Sequence, residues 1–230
     1  MRWLLAMTAA LLLAPFPAAG SAADGCTPAA GDLHLRAADG ARLLAHRFGS
    51  GQTAVVLAHQ SDGTLCQWVP YAKQLASRGY TAIVFDFRNA GGSQAMPWTA
   101  TRRLGGDVAA AVRAARAGGA TKVFLVGASL GGSAVISGAA NVRPPVAGVV
   151  SVSGSADLAD ALVAAQHLRV PALYLAAKGD RDFAADVPRL ARATHSPHQA
   201  VVLAGFEHGV QLVAASARAR SLIENFLRTH

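Results

Sequence analysis

Residues 122–134 read Lys122-Val123-Phe124-Leu125-Val126-Gly127-Ala128-Ser129-Leu130-Gly131-Gly132-Ser133-Ala134. Lys122 to Val126 is a short, β-branched apolar run, which predicts a strand covered on both faces, as in a parallel sheet. From Leu130 to Ala140 the residues are small and apolar, which predicts a helix. Between them Gly127-Ala128-Ser129-Leu130-Gly131 is a G-x-S-x-G pentapeptide. The bare pattern is weakly specific, and a small-residue turn with no chemistry is its alternative reading; the placement between strand and helix makes it informative. A serine on so sharp a turn sits in a strained conformation, and the close approach of strand and helix leaves no room for side chains at Gly127 and Gly131. The helix start directs its free N–H groups toward the serine, so the Leu130 N–H is a candidate oxyanion donor.

The same alternation extends outward in both directions. Ala54 to His59, Thr81 to Asp86, Val146 to Val152, Pro171 to Ala177 and Gln199 to Leu203 are further predicted strands. Helices are predicted over Gln67 to Arg78, Asp107 to Ala117, Ala156 to Gln166, Ala184 to Ala193 and Val210 to Arg228. Ahead of them, Asp32 to Arg36 and Arg42 to Phe48, split by Asp39-Gly40, read as an antiparallel hairpin. Strands alternating with helices imply right-handed crossovers and a doubly wound, mostly parallel α/β sheet.

In such sheets ligands bind beyond the carboxyl ends of the strands. The residues there are His59-Gln60-Ser61-Asp62, Asp86-Phe87-Arg88, the serine turn, Ser153-Gly154-Ser155, Lys178-Gly179-Asp180 and Glu207-His208-Gly209. A serine hydroxyl needs a base to take its proton, and the base needs an acid to hold its orientation. The chain order Ser129, Asp180, His208 supplies all three. Asp157, after the preceding strand, and Asp182, two residues on, are alternative acids.

These residues resemble the α/β-hydrolase superfamily, and within it the small exported esterase-like and dienelactone-hydrolase-like members. The resemblance runs from about Asp32 to the C-terminus. Besides the serine turn it includes Leu57-Ala58-His59, the stretch Gly79 to Arg88 leading to Gly91-Gly92-Ser93, and His208-Gly209. It implies a serine hydrolase acting on a small-molecule ester through Ser129, His208 and Asp180, with thioesters, peptides, lactones, acyl transfer or a non-catalytic binding role as alternatives. It also implies that Asp86 and Arg88 order loops and that His59 braces one. The family usually has Gly where this chain has Gln60; the second oxyanion donor is expected to be the Ser61 N–H, with Gln60 next. Where many members insert a lid, Gly154 to Val170 offers only seventeen residues, so an open cleft is expected.

Arg2, the apolar stretch Trp3 to Leu13, Pro15, Pro17 and the small residues Ala18 to Ala23 have the layout of a secretory signal. Residues 1–22 are read as that signal and 23–230 as a single domain, periplasmic or secreted, with no stable membrane insertion after cleavage. An uncleaved anchor is the alternative. Export permits a bridge between the only two cysteines, Cys26 and Cys66; unlinked thiols are the other reading. A composition 52% hydrophobic and 15% charged excludes a disordered charge polymer. The formal charge is +8, yet the basic residues are scattered with no run longer than Arg102-Arg103, so nucleic acid is not an expected partner. A metal would need three or four clustered ligands, and pairs such as His195 and His198 have no carboxylate beside them; no metal or cofactor is expected.

Overall fold

The computed structural model describes residues 25–27, 31–97 and 103–230. The predicted signal, residues 1–22, lies outside them. Eight strands form one sheet: β1 (Asp32–Arg36), β2 (Arg42–Phe48), β3 (Thr53–Ala58), β4 (Thr81–Phe85), β5 (Lys122–Ala128), β6 (Gly148–Val152), β7 (Ala172–Ala177) and β8 (His198–Leu203). Their order across the sheet is β1-β2-β4-β3-β5-β6-β7-β8. β1 and β2 pair antiparallel, Asp32 opposite His46 and Arg36 opposite Arg42, and β2 runs antiparallel to β4. All other pairings are parallel. This is the predicted mostly parallel α/β sheet with its N-terminal hairpin.

Successive strand side chains point to opposite faces, so a strand buried on both must be apolar throughout. In β3, Ala54, Val56 and Ala58 join one core and Val55 and Leu57 the other. The first core is covered by α2 (Leu104–Ala117), α3 (Leu130–Asn141), α4 (Ala161–Gln166) and α5 (Arg181–Ala193). The second is covered by α1 (Val69–Ser77), α6 (Val210–Ala215) and α7 (Ala217–Thr229). Among the described residues no helix is long and apolar enough to cross a membrane.

Some helix bounds differ from expectation. The predicted Val210 to Arg228 helix breaks at Ser216, which is extended and whose hydroxyl accepts the Ala219 N–H at 3.1 Å, so α7 starts anew on its own cap. The helix predicted from Ala156 starts only at Ala161, because Ala159 and Asp160 both have positive φ (50° and 54°). The stretch from Leu65 to Trp68 is a 3-10 turn before α1, which begins with Pro70 in its first turn. Cys66 in that turn is disulfide-bonded to Cys26, tying the N-terminal segment to the body.

The chain leaves β3 for β4 on one side and returns to β5 on the other. The connections after β3 and β5 therefore diverge around a crevice at the carboxyl ends of the two central strands. Ser129 stands at its edge.

Candidate active site

Ser129 joins β5 to α3 at φ 52°, ψ −120°, a conformation few non-glycine residues hold. Two glycines permit the turn. A Cβ at Gly127 would lie 2.1 Å from Gly131 O, and one at Gly131 would lie 2.2 Å from Ala58 O, so α3 sits directly against the ends of β5 and β3. The Ser129 N–H donates to Val152 O at 2.9 Å. It is therefore engaged, whereas Leu130, first in α3, has an N–H that no intrahelical acceptor can satisfy.

Asp180 and His208 are brought together by the extended pairing of β7 and β8. Beyond the strands, the Lys178 N–H donates to Leu203 O at 2.7 Å and the Gly179 N–H to Gly205 O at 2.8 Å, aligning the two following loops. His208 Nδ1 then lies 3.0 and 2.9 Å from the two Asp180 carboxylate oxygens. A carboxylate at Nδ1 fixes the proton there and leaves the Nε2 lone pair free to act as a base. The Phe183 ring packs on the imidazole with centroids 4.3 Å apart.

Neither rival acid is hydrogen-bonded to His208. Asp157 is two-thirds exposed and accepts both Arg189 Nη groups, at 3.0 and 2.8 Å. That guanidinium holds the Asp157 carboxyl below the usual range. Asp182 lies in the first turn of α5, past Asp180, which is the residue at the helix cap position.

Opposite Ser129, the loop after β3 is held by its own side chains. His59 is buried; its Nδ1 donates to Gln60 O at 2.6 Å and its Nε2 accepts the Phe87 N–H at 3.0 Å, so both ring nitrogens serve the backbone. Burial pushes its pKa down, and it stays neutral. The Gln60 N–H donates to Gln67 Oε1 at 3.1 Å, whereas Ser61 lines the same cavity as Leu130. That cavity measures about 580 Å³ and is walled by Phe87, Leu104, Leu130 and Leu158. A larger one, about 750 Å³, opens between α2, α3 and α4 beside Arg103, Arg143 and Arg169 but touches none of the candidate catalytic or oxyanion residues.

Asp86 and Arg88 hold the neighbouring loops. Asp86 accepts the Leu65 N–H at 2.7 Å and the Gly92 N–H at 2.9 Å. Arg88, fully buried, donates from Nε to Asp107 at 3.0 Å and from Nη1 to Asp39 at 2.7 Å. Hydrogen bonding to Asp107 raises the Arg88 pKa further, and Arg88 in turn lowers that of Asp39. Among the described residues no three His, Cys, Asp or Glu side chains gather as a metal site requires.

Residues that sequence reasoning did not single out also reach the site. Ser153 accepts the Gly209 N–H, and Asp62 and Gln67 brace Gln60. Only the positions of Ser153 and Asp62, past the carboxyl ends of β6 and β3, hinted at a role.

A family model of the alpha/beta hydrolase fold matches residues 53–228. The chain belongs to the alpha/beta hydrolase family. Its sheet order, its strand-to-helix serine and its short β6–β7 connection are one version of that family's architecture. Solved structures agree. An esterase of Pyrococcus furiosus superposes with a TM-score of 0.70 at 15% identity, over 86% of this chain and 89% of that one. An esterase of Exiguobacterium antarcticum gives 0.71 at 15%, over 85% and 99%. The enol-lactonase of Burkholderia xenovorans LB400 gives 0.71 at 16%, over 85% and 100%. At such identities the likeness is one of fold. No curated protein sequence matches the chain.

Proposed function

We propose that this hydrolase-family protein is an exported serine esterase that cleaves small carboxylic esters. The observation that carries the reading is His208 held at Nδ1 by Asp180 at the same end of the sheet as the positive-φ Ser129. Ser129 Oγ attacks the ester carbonyl carbon while His208 Nε2 takes its proton. The Leu130 and Ser61 N–H groups receive the developing oxyanion. As the tetrahedral intermediate collapses, the C–O bond to the alcohol breaks and His208 returns the proton to the leaving oxygen. Water, deprotonated by His208, then attacks the acyl-enzyme, releasing the acid and restoring Ser129.

The apolar cavity beside Leu130 suits a compact acyl or aromatic group. Between β6 and β7 there is only the six-residue α4, consistent with an open cleft. Lactone opening is the second reading, supported by the enol-lactonase among the similar structures, since a lactone is a cyclic ester with the same electrophilic carbon. The signal-like residues 1–22 and the Cys26–Cys66 bridge support export.

The test is a panel of p-nitrophenyl esters from acetate to palmitate together with a lactone, assayed on wild type and Ser129→Ala, alongside fluorophosphonate labelling. Turnover dependent on Ser129 and greatest with short acyl chains is expected. A wild-type protein that neither turns over any substrate nor takes up the probe would refute the enzyme reading. N-terminal sequencing of the exported protein tests the signal: a chain beginning near residue 23 is expected.

A further inference from the structure

The backbone immediately after His208 is gripped from two sides. The Gly209 N–H donates to Ser153 Oγ at 3.0 Å and the Val210 N–H to Gln60 Oε1 at 2.6 Å. Both acceptors are buried, Ser153 at 0% and Gln60 at 2% exposure. They come from the ends of β6 and β3, 56 and 150 residues away in sequence. No cap on α6 is supplied by its own neighbour Gly209, so these two side chains serve its first N–H groups instead.

Each grip opposes a local preference. Ser153 adopts φ 50°, a strained conformation for a non-glycine residue. Fixing a buried glutamine gives up much of the rotamer entropy of a long side chain. Gln60 is also fitted to one partner: a Cβ at residue 209 would lie 2.1 Å from Gln60 Oε1, so the side chain can occupy its place only opposite Gly209, itself at φ 55°.

The amide of Gln60 is oriented at its other end too. Its Nε2 donates to Asp62 Oδ1 at 3.2 Å, as does Gln67 Nε2, and Gln67 Oε1 accepts the Gln60 N–H at 3.1 Å. The loop carrying Ser61 and the loop carrying His208 are thereby one hydrogen-bonded unit. Burial does little to hold the His208 loop otherwise. Ala204, Phe206 and Glu207 are exposed, Phe206 at 83%.

We propose that Gln60 and Ser153 are positioning residues that clamp the chain at Gly209 and Val210 and so hold the His208 imidazole in line with Ser129. This rests on the esterase reading. Asp180 fixes the rotation of the ring, while the clamp fixes where the ring's backbone stands. Because Gln60 also braces the Ser61 loop, one side chain links the loop of the base to that of the oxyanion donor.

The experiment compares Ser153→Gly, Gln60→Leu and the double variant with wild type. Ser153→Gly is the decisive one, because glycine relieves the positive φ while deleting the acceptor; its Tm stays at or above the wild-type value. With p-nitrophenyl acetate, kcat falls about 10-fold in each single variant and about 10²-fold in the double, the scale of a 1 Å misplacement, while KM moves less than about twofold. The low-field proton resonance of His208 Nδ1, assigned by its absence in His208→Ala, broadens in the variants although Asp180 is untouched. A Ser153→Gly protein of undiminished Tm with wild-type kcat and an unchanged resonance overturns the clamp. So does a loss of kcat matched by a loss of folded protein. If wild type itself turns over no ester, the esterase reading fails, and the His208 resonance still reports whether the clamp orders the ring.

Discussion

Asp180→Asn removes the charge beside His208 while keeping the size of the side chain. Both carboxylate oxygens lie within 3.0 Å of Nδ1, and the two side chains are 10% and 31% exposed. When Ser129 loses its proton an imidazolium forms beside that carboxylate. With charge centres about 4 Å apart and an effective dielectric of about 20, the attraction is about 4 kcal/mol. At 1.36 kcal/mol per tenfold, this predicts a loss of about 10³ in kcat. The amide also lets the imidazole carry its proton on the wrong nitrogen, which can bring the loss to about 10⁴. Steady-state kinetics on p-nitrophenyl acetate and the rate of fluorophosphonate labelling measure it, with KM and Tm near wild type. Asp157→Asn is the control. Its solvent-exposed pairing is with Arg189 and not with His208, so kcat stays within about fivefold. The assignment of the acid is refuted if Asp157→Asn costs more activity than Asp180→Asn, or if Asp180→Asn costs less than about tenfold.

Three further outcomes are expected. Closing a loop of 40 residues by Cys26–Cys66 contributes about 4 kcal/mol in the chain-entropy model, so Cys26→Ser/Cys66→Ser lowers Tm by about 8–16 °C in thermal unfolding. Asp107→Ala leaves the buried Arg88 with Asp39 but without its most buried counter-ion, and denaturant titration should record a loss of about 3–5 kcal/mol. His59 is held neutral in the fold, whereas the unfolded chain protonates it below about pH 6.5. Its linkage therefore leaves stability at full value above that pH and erodes it as pH falls, by up to about 1.4 kcal/mol per unit. His59→Gln should flatten the pH dependence of unfolding free energy between about pH 6.5 and 5, and an unchanged slope would show that His59 is not the group responsible.

The three residues of the proposed triad were legible because each lies within five residues of the carboxyl end of a strand, and strand ends can be read from local apolar runs. The physical basis for Asp180, rather than Asp157 or Asp182, meeting His208 was not. It depends on β7 and β8 continuing to pair through Lys178 and Gly179, which swings the Asp180 loop against that of His208 while Asp157 is drawn away to Arg189. Helix bounds failed where a local event interrupted the apolar period. Ser216 restarts a helix with its own hydroxyl, and Ala159 and Asp160 take positive φ although their residue types do not announce it.

Backbone strain explains why the supports of the site were harder to read than the site. Gly127, Gly131 and Gly209 mark in the sequence where a Cβ cannot fit, because the chain uses the one residue lacking it. Ser129 and Ser153 bear equally unusual backbone angles, φ 52° and 50°, yet serine is common in relaxed loops and gives no warning. Ser129 is marked by Gly127 and Gly131 together with its place between a strand and a helix. Ser153 has a glycine on one side alone, and its partner, the Gly209 N–H, lies 56 residues on. Gln60 stood out as a departure from the family pattern, but its role turns on a contact 150 residues distant, and the two-residue step from Val210 to His208 is what converts that contact from packing into control of the proposed base. A strained serine or a buried amide at the carboxyl end of a parallel strand is thus a reason to ask which backbone group it holds, since in this sheet each such group adjoins a residue of the proposed chemistry.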